Sequence, residues 1–336
     1  MPDAAPCTVA QAMSMAQHAL DTVRASDTSA LDVRLIFCDA LGLTTAQLLC
    51  RMNDPLPRKG REKIDALVRR RMDHEPMAYI LGRRDFYGHT FLVDERVLIP
   101  RPDTETLVEA ALTHIRAKQS FYRCTGGTWG DNLKILDVCT GSGCVGISLA
   151  AELPGCTVTL SDISADALAV AKANANAILG QDLDYVQGNL LTPFIPVSLE
   201  TQRKAYDTRL RENYQDEDYG YELSRPEPFS ADTTRRFDVI VSNPPYLTDR
   251  WCDETEAQVH WEPRLALAGG DLDGLKLIRD LVEQSTEVLA QDGALLLECD
   301  YRQCNEVSDI MKQQGFYDIS IENDLAGKPR VVWGIL

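Results

Sequence analysis

The sequence predicts an α/β protein: a doubly wound, largely parallel sheet that ends in an antiparallel hairpin and is preceded by a small helical bundle. Three observations carry this. Four short apolar runs, 133–138, 157–162, 183–187 and 237–241, fall in the middle of the chain, and helix-period segments separate the first three, as βαβ units require. The last two strand-like runs, 317–322 and 331–336, have no helix between them, so they return antiparallel at the sheet edge. Residues 1–84 carry apolar side chains mostly at helical spacing.

In the first unit, residues 8–25 repeat Val9, Met13, Ala16, Leu20 and Val23 along one face, and 29–41 do so with Leu31, Val33, Leu35, Ile36 and Leu41. Thr44 or Thr45 suits the cap of a short third helix, and Pro57 opens a fourth that runs to Arg71. A bundle of about four helices without a cluster of catalytic groups reads as a recognition module over 1–84. Arg58, Lys59, Arg61, Arg69, Arg70, Arg71, Arg83 and Arg84 make it locally basic, which fits a solvated helix face or contact with an acidic partner or RNA. Over 85–100 the pattern changes to alternation, with Phe86, Phe91, Val93, Val97 and Ile99 around a Gly88-His89 turn. This predicts a β-hairpin linker to a second domain, 101–336. Asp103 is then expected to cap a helix over 104–118.

The second domain opens its sheet with Leu133-Lys134-Ile135-Leu136-Asp137-Val138, followed by the loop Cys139-Thr140-Gly141-Ser142-Gly143 and a helix-period run from Val145. Glycines in such a loop let backbone approach a ligand, and the helix start offers unpaired N–H groups to a carboxylate. The next run, 157–162, ends in Asp162, about 20 residues after the glycines, where an acid can hold ribose hydroxyls. Ser164 is the better cap for the helix over 165–179, which leaves Asp162 for ligand. Gly188-Asn189-Leu190 ends the third strand, where Asn189 either meets a base edge or closes the turn. Loop and acid suit both NAD and S-adenosylmethionine; the helix-free return of the last strands favours the latter, in a Rossmann-like S-adenosylmethionine methyltransferase sheet.

The fourth run, Phe237-Asp238-Val239-Ile240-Val241, leads through Ser242 into Asn243-Pro244-Pro245-Tyr246. This tetrapeptide suits methylation of a planar NH2 group. An amide or exocyclic amine is a poor nucleophile because its lone pair is delocalised. The Asn243 side-chain oxygen and the Pro244 carbonyl supply two acceptors for its two N–H bonds. Prolines stiffen the turn, so the acceptors are aimed in advance, and Tyr246 offers a flat face for stacking. No strong base is needed, because the nitrogen proton becomes acidic only once methylated. The segment 248–274 reads as a long substrate-binding loop with Trp251 and Trp261. A helix over 275–289, a strand over 294–298 and a helix over 302–314 follow.

Composition narrows the function. The 336 residues are 44% hydrophobic, enough for ordinary cores in two domains. A formal net charge of -17 argues against phosphate-backbone binding as the main affinity, so direct DNA binding is not expected. No leader and no membrane-spanning run is read, and a cytoplasmic chain is expected. The 10 cysteines contain no Cys-x-x-Cys pair and the 5 histidines have no ligand spacing, so no metal is expected. The stretch 197–236 is an insertion, acidic and tyrosine-rich around Tyr214 and Tyr221, expected to be a mobile, solvated loop.

These motifs together resemble one family, the protein glutamine-N5 methyltransferases that modify peptide chain release factors. The resemblance rests on Arg101-Pro102-Asp103-Thr104-Glu105, on Asp137 to Gly146, on Ser242 to Tyr246, and on Trp261-Glu262-Pro263 with Leu265-Ala266-Leu267, all in the family's order. It implies methyl transfer from S-adenosyl-L-methionine to the glutamine of a Gly-Gly-Gln motif, with S-adenosyl-L-homocysteine as product and release factors as partners of a monomer. Asn243, Pro244 and Tyr246 would be catalytic and, with Pro245, would bind the glutamine. Cys139, Thr140, Gly141, Ser142, Gly143, Asp162, Asn189, Leu190 and Asn243 would hold cofactor. Cys139 stands where the family usually has glycine, and Leu190 where some relatives have an aromatic.

Overall fold

A computed structural model of the protein describes residues 7–124, 132–195 and 236–336. The insertion expected over 197–236, except Arg236, lies outside these residues.

The N-terminal part folds as α1 (Val9–Thr22), α2 (Ser29–Leu41), α3 (Thr45–Cys50), α4 (Arg58–Met72) and α5 (Met77–Leu81). Thr8 and Thr44 close capping boxes with Gln11 and Gln47, each satisfying two otherwise open backbone donors. The short α5 was not legible as a periodicity, since its five residues between Pro76 and Gly82 span little more than one turn. Leu20, Ile36, Phe37 and Leu48 are fully buried and form the centre of this core. Much of the basic run is answered internally. Arg71 is buried against Asp32 at 2.8 Å, Arg70 pairs with Glu75, and Lys63 and Arg83 both reach Asp39.

The hairpin is shorter than the alternation suggests and starts earlier: β1 (Arg83–Phe86) pairs with β2 (His89–Leu92). Beyond it, Val93, Val97 and Ile99 are buried because they pack against Tyr79, Ala167 and Val170, so their alternation reports contact with a helix rather than strand pairing. Asp103 is not a helix cap. Pro102–Thr104 forms a 3-10 turn into α6 (Glu105–Cys124), and Asp103 pairs with Arg330 at 3.1 Å.

The sheet contains β3 (Lys134–Val138), β4 (Thr157–Asp162), β5 (Asp184–Gln187), β6 (Phe237–Ser242), β7 (Leu289–Glu298), β8 (Tyr317–Asn323) and β9 (Pro329–Ile335), in the order β5-β4-β3-β6-β7-β9-β8. Strands β3 to β7 are parallel; β9 runs antiparallel between β7 and β8. Helices α7 (Cys144–Glu152), α8 (Ala165–Leu179), α9 (Asp249–Asp253), α10 (Lys276–Val288) and α11 (Cys304–Gln313) complete the fold. Separate apolar cores fill the two sheet faces, one with α6 and α7, the other with α10 and α11. Strand order reverses at β3 and β6, and a ligand cleft belongs beyond the carboxyl ends of strands at that point. Among the described residues no helix is long and apolar enough to cross a membrane.

Candidate active site

A cavity lies at that reversal, walled by Cys139 and Gly141 after β3, Asp162 at the end of β4 with Ile163 after it, Asn189 and Leu190 after β5, and Asn243 and Pro245 after β6. Asp137 underpins the loop after β3. It is 1% exposed, and its Oδ2 accepts the Thr140 hydroxyl at 2.6 Å and the Gly146 N–H at 2.9 Å. Burial pushes this carboxyl up to about 7, partly offset by those two bonds. Gly146 has to be glycine, since a Cβ there would stand 2.3 Å from Leu160 and 3.0 Å from Asp137. Asn174, buried on α8, donates to the Ser142 carbonyl and exchanges two hydrogen bonds with the Leu92 backbone, tying loop and hairpin to one helix.

Asp162 is less free than expected. Its Oδ2 accepts the Gly141 N–H and its Oδ1 the Ser164 N–H, each at 2.9 Å. Each carboxylate oxygen keeps a further lone pair, so the group still has acceptor capacity toward the cavity. Burial raises its carboxyl above the usual range, against the backbone N–H groups that lower it. Ser164 caps α8 through Ala167 N, as expected.

The other side of the cavity is the turn after β6. Asn243 Nδ2 donates to Thr104 Oγ1 at 3.1 Å, while no described residue donates to its Oδ1. Tyr246 is half-buried, with its hydroxyl turned inward to Glu298 Oε1 at 3.2 Å. Backbone contacts hold the turn rigid. Gln303 Nε2 donates to the Tyr246 and Asp273 carbonyls at 2.9 and 2.8 Å. Gly269 and Gly274 pack so close that a Cβ would meet backbone of the Tyr246 region at 2.7 and 2.3 Å.

Two segments cover the cleft: Arg96, Val97 and Leu98 on one side, Pro263, Leu265 and Ala266 on the other. Glu262 joins them. Its side chain accepts the Ile99 N–H at 3.0 Å and the Arg101 guanidinium, so the two separately recognised segments around Arg101 and Glu262 form one ion-paired clasp. Trp251 is covered by the Arg302 guanidinium, 3.5 Å from its ring centre, whereas Trp261 is 42% exposed.

Of the residues expected to bind, Cys139, Gly141, Asp162, Asn189, Leu190, Asn243 and Pro245 are brought together on the cavity wall. Thr140, Ser142, Gly143, Pro244 and Tyr246 are not on it. Thr140 and Ser142 are buried, Thr140 turned toward Asp137. Gly143 packs on Ile147 and Ala171 as the N-cap of α7. Cys139 and Leu190 adopt positive φ of 57° and 48°, the left-handed backbone that glycine takes at least cost. Burial pushes the Cys139 thiol up to about 12. Asp137 and Thr104 were read only as members of motifs, with no role of their own, and Asn174, Glu298 and Gln303 were not singled out from the sequence. A lone carboxylate inside an apolar strand run marks Asp137 and Glu298; Asn174 and Gln303 carry no local signal.

Residues 11–82 match the PrmC N-terminal domain family, and residues 128–201 match the Methyltransferase small domain family. The chain is 33% identical to the release factor glutamine methyltransferase of Neisseria gonorrhoeae, over 90% of this chain and 92% of that protein. It is 34% identical to the release factor glutamine methyltransferase of Burkholderia pseudomallei, over 95% of this chain and 96% of that protein. It is 31% identical to a bifunctional methyltransferase of Rickettsia bellii, of which it spans 50%. Identity of this order, sustained along nearly the whole of both chains, places this chain in the release factor glutamine methyltransferase family.

Proposed function

We propose that this protein transfers a methyl group from S-adenosylmethionine to N5 of the glutamine side chain in the Gly-Gly-Gln motif of peptide chain release factors. The observation that carries the proposal is the orientation of Asn243. Its NH2 is spent on Thr104, so Oδ1 is left to accept from a substrate N–H at the reversal point of the sheet. The Pro244 carbonyl, which accepts no hydrogen bond from a described residue, takes the second N–H. Both acceptors pull on the amide protons in one plane, which leaves the nitrogen lone pair directed out of it. The accessible part of the Tyr246 ring then packs against the amide while its hydroxyl stays on Glu298.

The cavity fits the cofactor by chemistry of the donor set. Gly141 brings backbone close, Asp162 retains acceptor capacity for hydroxyls, and Ile163 and Leu190 give apolar faces for a base beside the exposed Asn189. Bound there, S-adenosylmethionine supplies an electrophilic sulfonium methyl. The chain contributes orientation and exclusion of water, worth several kcal/mol when reacting atoms are held in contact. The clasp of Arg101 and Glu262 keeps both covering segments over the reacting groups.

The helical unit over 1–84 acts as the recognition module, with the hairpin region 85–100 as linker to the catalytic domain over 101–336. The chain works as a cytoplasmic monomer without DNA as substrate, which its acidity favours. The test is mass spectrometry of a release factor incubated with protein and S-adenosylmethionine. One added methyl on the Gly-Gly-Gln glutamine is expected, and none when that glutamine is replaced; methylation of the replaced factor, or robust methylation of DNA, overturns the reading. Asn243→Ala should lower turnover by roughly 10²–10³-fold, the scale for one preorganised polar contact, with cofactor affinity by calorimetry nearly unchanged.

A further inference from the structure

The helical unit at the N-terminus reaches the wall of the cavity. From Val93 to Pro100 the chain belongs to no helix or strand, yet Arg96, Val97 and Leu98 line the cavity, so the place of this wall depends on individual contacts. At its start the Val93 N–H donates to the Gly82 carbonyl at 3.3 Å, and at its end the Ile99 N–H donates to Glu262. In the middle the Tyr79 hydroxyl donates to the Val97 carbonyl at 2.6 Å, and no other donor among the described residues reaches that oxygen. Asp94 bonds only Arg96 and the Val97 N–H, which closes a turn that can move as a unit.

Tyr79 belongs to α5, the last helix of that unit, and is buried. Its ring packs in one cluster with Val93, Val97 and Ile99 and with Ala167 and Val170 of α8, and Ala167 itself lines the cavity. From behind, Arg70 donates to the Tyr79 carbonyl at 3.3 Å while pairing with Glu75, which seats α5 on α4. Burial, and after it the Glu262 carboxylate, push the Tyr79 hydroxyl well above its ordinary range, so it keeps the proton it donates.

A buried carbonyl that loses its only donor is worse off than one that never left water. Without the phenol, the Val97 carbonyl has to turn toward water, and the cavity that Val97 lines is where water enters. We propose that Tyr79 is a positioning residue for the cofactor: by its hydrogen bond to the Val97 carbonyl, the helical unit fixes the cavity wall against which S-adenosylmethionine binds. This rests on the reading of the cavity as the cofactor site given above. One wall of that site is then held by the unit that precedes the catalytic domain, and cofactor binding to a displaced wall must first restore it.

The test is calorimetric titration of the full-length wild type and Tyr79→Phe with S-adenosylmethionine and with S-adenosylhomocysteine, alongside steady-state kinetics. Phenylalanine fills the same space and lacks only the donor. The Kd for both ligands, and the KM for S-adenosylmethionine, should rise roughly 3- to 10-fold, the scale of one neutral hydrogen bond. With both substrates saturating, kcat should stay within about twofold, because the reacting groups are untouched. A third protein carrying 4-aminophenylalanine in place of Tyr79 restores an N–H donor at the para position and should recover most of the affinity. A role in folding alone would lower stability and leave the Kd where it was. Unchanged cofactor affinity in Tyr79→Phe, no recovery with the restored donor, or a fall in saturated kcat at unchanged Kd overturns the proposal. Undiminished cofactor affinity in Asp162→Ala would instead overturn the reading of the cavity itself, which keeps the two failures apart.

Discussion

The two sides of the cavity are built in opposite ways. On the cofactor side, Asp137 bonds Thr140 and Gly146, and Asp162 bonds Gly141 and Ser164, every partner within 21 residues along the chain. These are mostly carboxylates taking backbone N–H groups, and the result is a shaped loop. On the acceptor side the partners are far apart: Asn243 meets Thr104 across 139 residues, Tyr246 meets Glu298 across 52, and Ile99 meets Glu262 across 163. The first two are side chains aimed by other side chains, and the third is a carboxylate taking a distant backbone N–H. The difference teaches that a loop which only has to fit a ligand can take most of its hydrogen bonds locally, with Asn174 its longer tie across 32 residues. An amide that must be held one way round needs support from several strands at once.

The contrast can be broken most strongly at the clasp. Arg101→Leu leaves the Glu262 side chain, 1% exposed, without its counter-charge. Losing one partner of a buried pair costs about 3–5 kcal/mol, and the lower end applies because Arg101 remains 36% exposed. Denaturant unfolding should show that loss, and the KM for release factor should rise, because both covering segments are loosened by one change. An unchanged KM with intact stability would mean that the clasp does not shape the acceptor side.

Gly146→Ala probes the local side. The new methyl presses on Leu160 and Asp137 and should destabilise by about 1–3 kcal/mol, the usual cost of overpacking. Its kinetic mark should be weaker cofactor binding with the KM for release factor unaltered. A rise in that KM instead would show that the two sides are mechanically coupled.

The smallest effect is expected at Cys139, held at φ 57°. Cys139→Gly relieves a left-handed conformation that costs a side chain about 1–2 kcal/mol, offset in part by the greater freedom of glycine when unfolded. A gain of up to about 1 kcal/mol in unfolding free energy, with turnover kept, is the expected outcome. A loss of cofactor affinity would show that the thiol is a contact and not only a tolerated replacement.

Legibility followed the same division. The helix caps Thr44 and Ser164, the strand over Thr157–Asp162 and the glycine loop could be read because their signals lie within a few residues. The hairpin was drawn too long because burial of Val93, Val97 and Ile99 against a helix mimics the alternation of a strand. Asp103 was misread as a cap because its partner, Arg330, comes from the far end of the chain. Thr104 looked like part of an ordinary helix start, and nothing near it in sequence shows that its hydroxyl accepts from the Asn243 amide.

By itself the sequence determined the order of the sheet strands and of the longer helices, the glycine loop, and a proline-stiffened amide motif at the end of a buried strand. These follow from local sterics, side-chain spacing and backbone freedom. Only the tertiary structure decided which end of the Asn243 amide faces the cavity, that Asp162 shares its oxygens with backbone, and that Arg101 and Glu262 close one clasp. Those outcomes depend on hydrogen bonds between residues that meet only after the sheet has formed, and linear spacing carries no record of them.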